Sequence, residues 1–231
     1  MSSRLFSRLL DALPSQCMVC HAWPGRSLCE DCVSRFAQPQ PRCQTCALLL
    51  PAGVRQCGQC IRSAPPLDAC LAAVSYAYPW SHLIQGFKFH AHPGRAGAFA
   101  LLLRSTPWVE PALEAADAVL PMPLSSERLR ARGFNQALLL ARQLAPDKTR
   151  HQILLRIKDT PAQSSLGRSE RLQALQDAFA VEPLLAPQVR GRCLVLVDDV
   201  MTSGATLHAA AKVLRAAGAA HITALVIART E

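Results

Sequence analysis

The chemistry of this sequence is concentrated where an apolar stretch, Leu194 to Val197, runs into two adjacent acids, Asp198 and Asp199, and then into Met201, Thr202, Ser203, Gly204, Ala205 and Thr206. Four consecutive apolar residues read as a fully buried strand. Ligands of open α/β sheets bind at the carboxyl ends of the strands, which is where the acids stand. The turn behind them offers backbone N–H groups from Met201 through Thr206, three hydroxyls and a helix N-terminus, all of which favour a phosphate. Side-by-side carboxylates suit the two hydroxyls of a ribose, with one of them free to face a magnesium shell. A triphosphate loop would need a lysine after its last glycine, and Ala205 follows Gly204, so a ribose carrying one phosphate fits better. The plainer alternative is an ordinary βα connection whose acids cap the next helix. It accounts poorly for two acids placed directly after so apolar a strand and followed by T-x-G-x-T.

Cysteine supplies a second chemistry. Of ten cysteines, eight lie in four C-x-x-C pairs within the first sixty residues. Pairs separated by two residues are awkward disulfides but natural zinc knuckles, because a tight turn aims both thiolates at one ion. Cys17, Cys20, Cys29 and Cys32 form one set; Cys43, Cys46, Cys57 and Cys60 form a second. Eight thiolates make two tetrahedral zinc sites, paired either sequentially or as an interleaved cross-brace. His21 and His90 are further donors, but each site already has four sulfurs. So small a module buries little apolar surface, and structural metal is expected to supply most of its stability. Cys70 and Cys193 are expected to be buried free thiols.

These groups need a scaffold, and the chain of 231 residues, half of them apolar, is long enough for one α/β domain plus a small module. The breaker Ala64-Pro65-Pro66 predicts a boundary between residues 1–66 and 67–231. Beyond it, LAAVSYAY, DAVLPMPL, ILLRI, CLVLVDDV and HITALVIAR read as strands. SHLIQGFKF, GRAGAFALLLRS, FNQALLLARQLA and ATLHAAAKVLRAAGA read as helices, with SERLQALQDAF as a polar helix or mobile segment. The alternation implies a parallel sheet with helices on both faces. No apolar run is long enough to span a membrane and the start lacks a secretory pattern, so a cytoplasmic protein is expected. The net charge of +9, with Arg far ahead of Lys, suits phosphate-bearing partners, whether nucleotide-like ligand or nucleic acid.

VLVDDVMTSGAT resembles the phosphoribosyl pyrophosphate motif of type I phosphoribosyltransferases. Together with the cysteine pairs and RLRARGFNQ (Arg128 to Gln136), it resembles the ComF competence family over essentially the whole chain. The order of motifs is the most specific part: paired knuckles, a lone lysine in LIQGFKF, PMPL, RARGFNQ, DTPAQSSLGRSER and VDDVMTSGAT. One departure is visible, since Ala174 stands where the family typically has asparagine three residues after Arg171. The resemblance implies a type I phosphoribosyltransferase-like domain behind a double zinc ribbon, with sequential pairing of the cysteines and a link to uptake or use of external DNA. It implies roles for Asp198, Asp199 and Arg132 in catalysis. For ligand contact it points to Lys88, as the remaining phosphate contact, to Pro123, Arg128 and Arg130 and to the turn from Met201 to Thr206, and it makes Arg156 to Arg171 a mobile lid. Gly133 and Asn135 read as a close backbone approach rather than a plain basic helix.

The chemistry would be displacement of pyrophosphate at the anomeric carbon, with magnesium and arginines stabilising the leaving group and no protein nucleophile. No base-recognition hood is evident, so the acceptor is unread and transfer activity stays open. Arg26, Arg35, Arg42, Arg55 and Arg62 lie among the knuckles with Trp23 and Phe36 available for stacking, which makes single-stranded DNA and DNA-processing proteins the other candidate partners. Three functions therefore compete: an active transferase, a DNA-processing accessory protein regulated by bound ligand, and a nucleic-acid-binding scaffold.

Overall fold

The longest apolar strands of the sequence lie side by side at the centre of the protein. In the computed structural model, which describes residues 15–89, 92–158 and 177–231, β1 (Ala69–Ser75), β2 (Ala118–Pro121), β5 (Cys193–Met201) and β6 (His221–Arg229) form one sheet in the order β1-β6-β5-β2. Every neighbouring pair is parallel. Leu194 and Leu196 share a core cluster with Leu207, Ala210 and Leu214 of the following helix. Val195 and Val197, alternating with them, are equally buried on the other face. Both faces are therefore covered, which is why a parallel sheet reads as unbroken apolar runs.

Helical periodicity supplies the cover. Helix α3 (Trp80–Phe89) buries Trp80, Leu83, Ile84 and Phe87, the spacing of one helical face. Phe87 is fully buried and meets Phe99 of α4 (Arg95–Arg104) at 5.4 Å and Phe134 at 6.0 Å between ring centroids. Burying such a ring contributes roughly 1.5–3 kcal/mol and fixes the end of α3, where Lys88 follows. Helices α7 (Gln136–Leu144) and α8 (Ala205–Ala216) carry similar apolar stripes. Helix α5 (Val109–Ala115), not expected from the sequence, packs against α4 and β5.

Two expectations need correction. ILLRI does form a strand, β3 (Leu154–Arg156), but it pairs antiparallel with β4 (Phe179–Val181) in a separate ribbon. Strands of three residues carry too little pattern to reveal their partner. Cys70 is buried, its thiol pushed up to about 12 chiefly by desolvation, whereas Cys193 is only half-buried. The lid segment and SERLQALQDAF fall largely within 159–176, outside the described residues; His90 also lies outside them.

The chain divides into two compact units, residues 1–38 and 39–231, and the composition change at Pro65-Pro66 lies inside the second. In the first, helix α1 (Glu30–Phe36) starts directly after Cys29; in the second, helix α2 (Gly58–Arg62) starts directly after Cys57. Cys43, Cys46, Cys57 and Cys60 belong to the same buried cluster as Leu194, Ala224 and Val226. Among the described residues no helix is long and apolar enough to cross a membrane.

Candidate functional site

Because all four strands are parallel, their carboxyl ends lie on one edge. Pro121 pairs with Val197, and Val200 with Ala228, which itself pairs with Val74. Tyr76 and Met122 to Leu124, which follow β1 and β2, and Asp198 to Val200, in the last part of β5, line a cleft of about 410 Å³ with Thr202 and Thr206. Lys88, Arg128, Arg132, Asn135, Gln136 and Arg156 complete its walls.

Charge in the cleft is arranged in opposition. Lys88 Nζ lies 2.8 Å from Asp199 Oδ1, with both side chains mostly shielded from solvent. Asp198 accepts from the Asp199 N–H at 2.8 Å. Its carboxyl is pushed up to about 7, first by desolvation and then by the Asp199 charge, against the pull of Lys88 and Arg132. Desolvation also lowers Arg132 from its ordinary value. Its guanidinium lies 4.8 Å from the centre of the Phe89 ring, a cation–π contact that holds it beside the cleft.

The basic segment is a short helix, α6 (Ser126–Arg132), capped by Ser125, whose hydroxyl accepts from the Arg128 N–H. Gly133 ends α6 at φ +77 with open space around it, and Asn135 caps α7 by accepting from the Leu138 N–H. Arg128 and Arg132, four apart, both reach the cleft; Arg130, two positions round, is exposed and does not line it.

Within the turn, Thr202 and Thr206 line the cleft together with Pro123 upstream, whereas Met201, Ser203, Gly204 and Ala205 do not. Met201 is buried, with its sulfur 3.5 Å from Cys70 Sγ. The Ser203 hydroxyl accepts from the Ala205 N–H. Gly204 stands at φ +79, and a Cβ there would lie 2.4 Å from Met201 Cε and 2.9 Å from the His208 ring. Glycine is thus required by backbone conformation and by what lies beneath the turn.

Sequence reasoning did not anticipate Tyr76 or Gln136 in the cleft. Gln136 is buried and its amide donates to the Lys88 carbonyl at 3.4 Å, joining α7 to α3. A polar residue placed directly before the apolar run Ala137 to Ala141 was the available signal.

The cysteine sets group sequentially, which decides against the cross-brace. Within each four, all sulfurs lie within 4.8 Å of one another. Cys20 and Cys29 are 3.6 Å apart at sulfur, Cys46 and Cys57 3.7 Å. These are far too long for disulfides and close to the edge of a zinc–sulfur tetrahedron, roughly 3.8 Å for bonds of ~2.3 Å. The two sets repeat each other in detail: the Cys29 N–H donates to Cys17 Sγ at 3.4 Å, and the Cys57 N–H to Cys43 Sγ at 3.3 Å. Burial alone would raise both accepting thiols. Backbone N–H groups, led by Cys20 and Cys29 for Cys17 and by Cys57 and Cys46 for Cys43, bring them down to about 6 and about 7. In the same sets burial and the neighbouring thiols push Cys32 and Cys60 up, so the case for metal rests on the grouping of four sulfurs, and each set could hold one structural zinc ion.

The basic residues of the knuckles separate into two kinds. Arg26, Arg35, Arg55 and Arg62 are exposed, Trp23 is 64% exposed and Arg35 sits over Phe36 at 5.2 Å. Arg42 is instead committed internally, donating to the Ala47 carbonyl, Ser75 Oγ and Glu231.

The chain is similar to known proteins over most of its length. The family described as Phosphoribosyl transferase domain matches residues 130–231. The chain is 31% identical to a DNA utilization protein of Salmonella typhimurium, over 94% of this chain and 98% of the relative. It is 33% identical to competence protein F of Haemophilus influenzae, over 87% and 90%. It is 39% identical to competence protein ComFC of Bacillus subtilis, over 48% and 44%.

Proposed function

This chain belongs to the ComF competence family, and from that premise we propose that it binds 5-phosphoribosyl pyrophosphate in the cleft at the end of β5, in the service of uptake or use of external DNA. One observation carries the reading: an acidic pair at the carboxyl end of the central strand faces Lys88, Arg128 and Arg132 across a single cleft floored by a phosphate-type turn. In that cleft Asp198 and Asp199 accept from the ribose hydroxyls. Thr202, Thr206 and the N-terminus of α8 take the 5-phosphate, and the two arginines face the pyrophosphate. Lys88, now bound to Asp199, is positioned to exchange that partner for a phosphate oxygen.

Magnesium would arrive with the pyrophosphate and neutralise part of its charge, with Asp198 facing its hydration shell. The chain itself brings countercharge for an anionic leaving group and needs no nucleophile of its own. Residues 67–231 carry this site, and residues 1–66 are the metal-binding module in front of it, with two structural zinc ions.

A second reading, a nucleic-acid-binding accessory protein with a catalytically silent fold, is favoured by the exposed Trp23 and the exposed arginines among the knuckles. Calorimetry with phosphoribosyl pyrophosphate and magnesium tests the main reading. Replacing both acids, Asp198→Asn with Asp199→Asn, should cost ~1.5–3 kcal/mol or more, about ten-fold or greater in affinity. Undiminished affinity in the double variant would place the ligand elsewhere.

A further inference from the structure

Arg229 ends the apolar run of β6 and is only 9% exposed. No carboxylate pairs with it among the described residues; its partners are carbonyl oxygens. Nε donates to the Cys46 carbonyl at 2.9 Å, and Nη1 donates to the carbonyls of Met201, Thr202 and Thr230. A buried guanidinium held only by carbonyls is costly, and an apolar residue would fill the space more cheaply. What the charge achieves is geometric. A trans peptide is planar, with its C=O and N–H pointing in opposite directions. Drawing the Met201 and Thr202 carbonyls inward therefore turns the Thr202 and Ser203 N–H groups away from the guanidinium, and Thr202 lines the cleft.

At its other end the same side chain fixes the carbonyl of a residue in the second cysteine set. That set is tied to the sheet once more, by the Cys70 N–H donating to the Gln44 carbonyl. A zinc ion with four thiolates carries two net negative charges, which would partly compensate the buried guanidinium beside it. Neutral thiols would not.

We propose that Arg229 is a positioning residue that couples the second cysteine set to the phosphate turn, so that metal at Cys43, Cys46, Cys57 and Cys60 and a phosphoribosyl ligand at the turn reinforce each other. The ligand half of this statement rests on the function proposed above; the coupling between metal and turn does not. Coupling of this kind is reciprocal.

Amide hydrogen exchange on the full zinc-loaded chain tests the coupling without ligand. Losing the second metal through Cys57→Ser, or the strut through Arg229→Met, should speed exchange at Thr202 to Ala205 roughly 5- to 150-fold, the ordinary range for coupled sites. Losing the first metal through Cys20→Ser should leave the turn unchanged. Amides of Ala118, Val119 and Leu120 serve as the internal control. Arg229→Lys keeps the charge but cannot bridge Cys46 and Thr202 together, and should loosen the turn even if Arg229→Met fails to fold. A turn indifferent to Arg229→Lys and to the second metal, or a sheet that loosens everywhere equally, would overturn the proposal. In a second arm, phosphoribosyl pyrophosphate with magnesium should slow release of one of the two zinc ions in the wild type and not in Arg229→Lys. Should the wild type not bind this ligand, the reading of the cleft falls and the exchange arm alone decides the coupling.

Discussion

Asp198 shows what a ligand site costs its own fold. Its carboxyl titrates at about 7 in the folded protein, first because it is desolvated and then because Asp199 repels its charge. An unfolded aspartate titrates near ~3.9. The folded state therefore holds this proton more tightly than the unfolded chain does. The stability it brings is fully present below about pH 4 and is lost as the pH rises through about 7. Asp198→Asn should then melt above the wild type at about pH 8, and the gap should narrow as the pH falls toward about 5. A gap independent of pH would show that burial at Asp198 is not opposing its charge. Residue type was the most legible layer of the sequence, since an acid pair after four apolar residues has few structural uses. Arg229 was not singled out, although a lone arginine closing a buried strand was a signal of the same kind.

Helices and knuckles turn residue types into geometry, and at this scale spacing discriminates between residues that look alike in sequence. Arg128, Arg130 and Arg132 form a regular basic run, yet α6 turns the first and third to the cleft and the second to solvent. Arg128→Ala and Arg132→Ala should each weaken binding of phosphoribosyl pyrophosphate by about ten-fold or more, the scale of a charge-assisted hydrogen bond, while Arg130→Ala should stay within about two-fold. Calorimetry on the three variants checks this, and equal losses would mean that α6 is not the element presenting them. The knuckles offer a parallel case. Between Ser15 and Gln38 the buried apolar side chains are Cys17, Leu28 and Cys32, too few to hold that unit together without metal. Metal analysis should find two zinc ions per chain. Chelation should open trypsin cleavage at Arg26 and Arg35 before any site in the sheet; simultaneous cleavage of both units would contradict a metal-held first unit. Long periodic elements were legible because a buried face imposes its period. The ribbon of β3 with β4 and the packing of the second cysteine set onto the sheet were not, because both depend on contacts between distant segments.

At the scale of the whole molecule the net charge of +9 is not all available to a partner. Arg229 is buried, Arg42 holds Glu231 and Ser75, and Arg215 is engaged with Asp68 and the carbonyls of Ala219 and Ala220. Charge count alone therefore overstates the electrostatic surface. What remains among the knuckles is a set of exposed arginines accompanied by the exposed Trp23, which is the composition of a single-strand binder. Weak binding to an oligothymidine should be measurable by fluorescence anisotropy at low salt. With about three phosphates neutralised, the slope of log affinity against log salt is roughly −2, a loss of about twenty-fold for a four-fold rise in salt. Replacing Arg26, Arg35 and Arg62 by glutamine should lower both the affinity and the slope, while Arg42→Gln, which removes an internal strut, should leave the slope as it is. Phosphoribosyl pyrophosphate should not displace the oligonucleotide, because its cleft is lined by Lys88, Arg128 and Arg132 and by none of these arginines. Binding that is absent at low salt, or unchanged at high salt, would remove nucleic acid from the partners of the knuckles and leave the cleft as the centre of function.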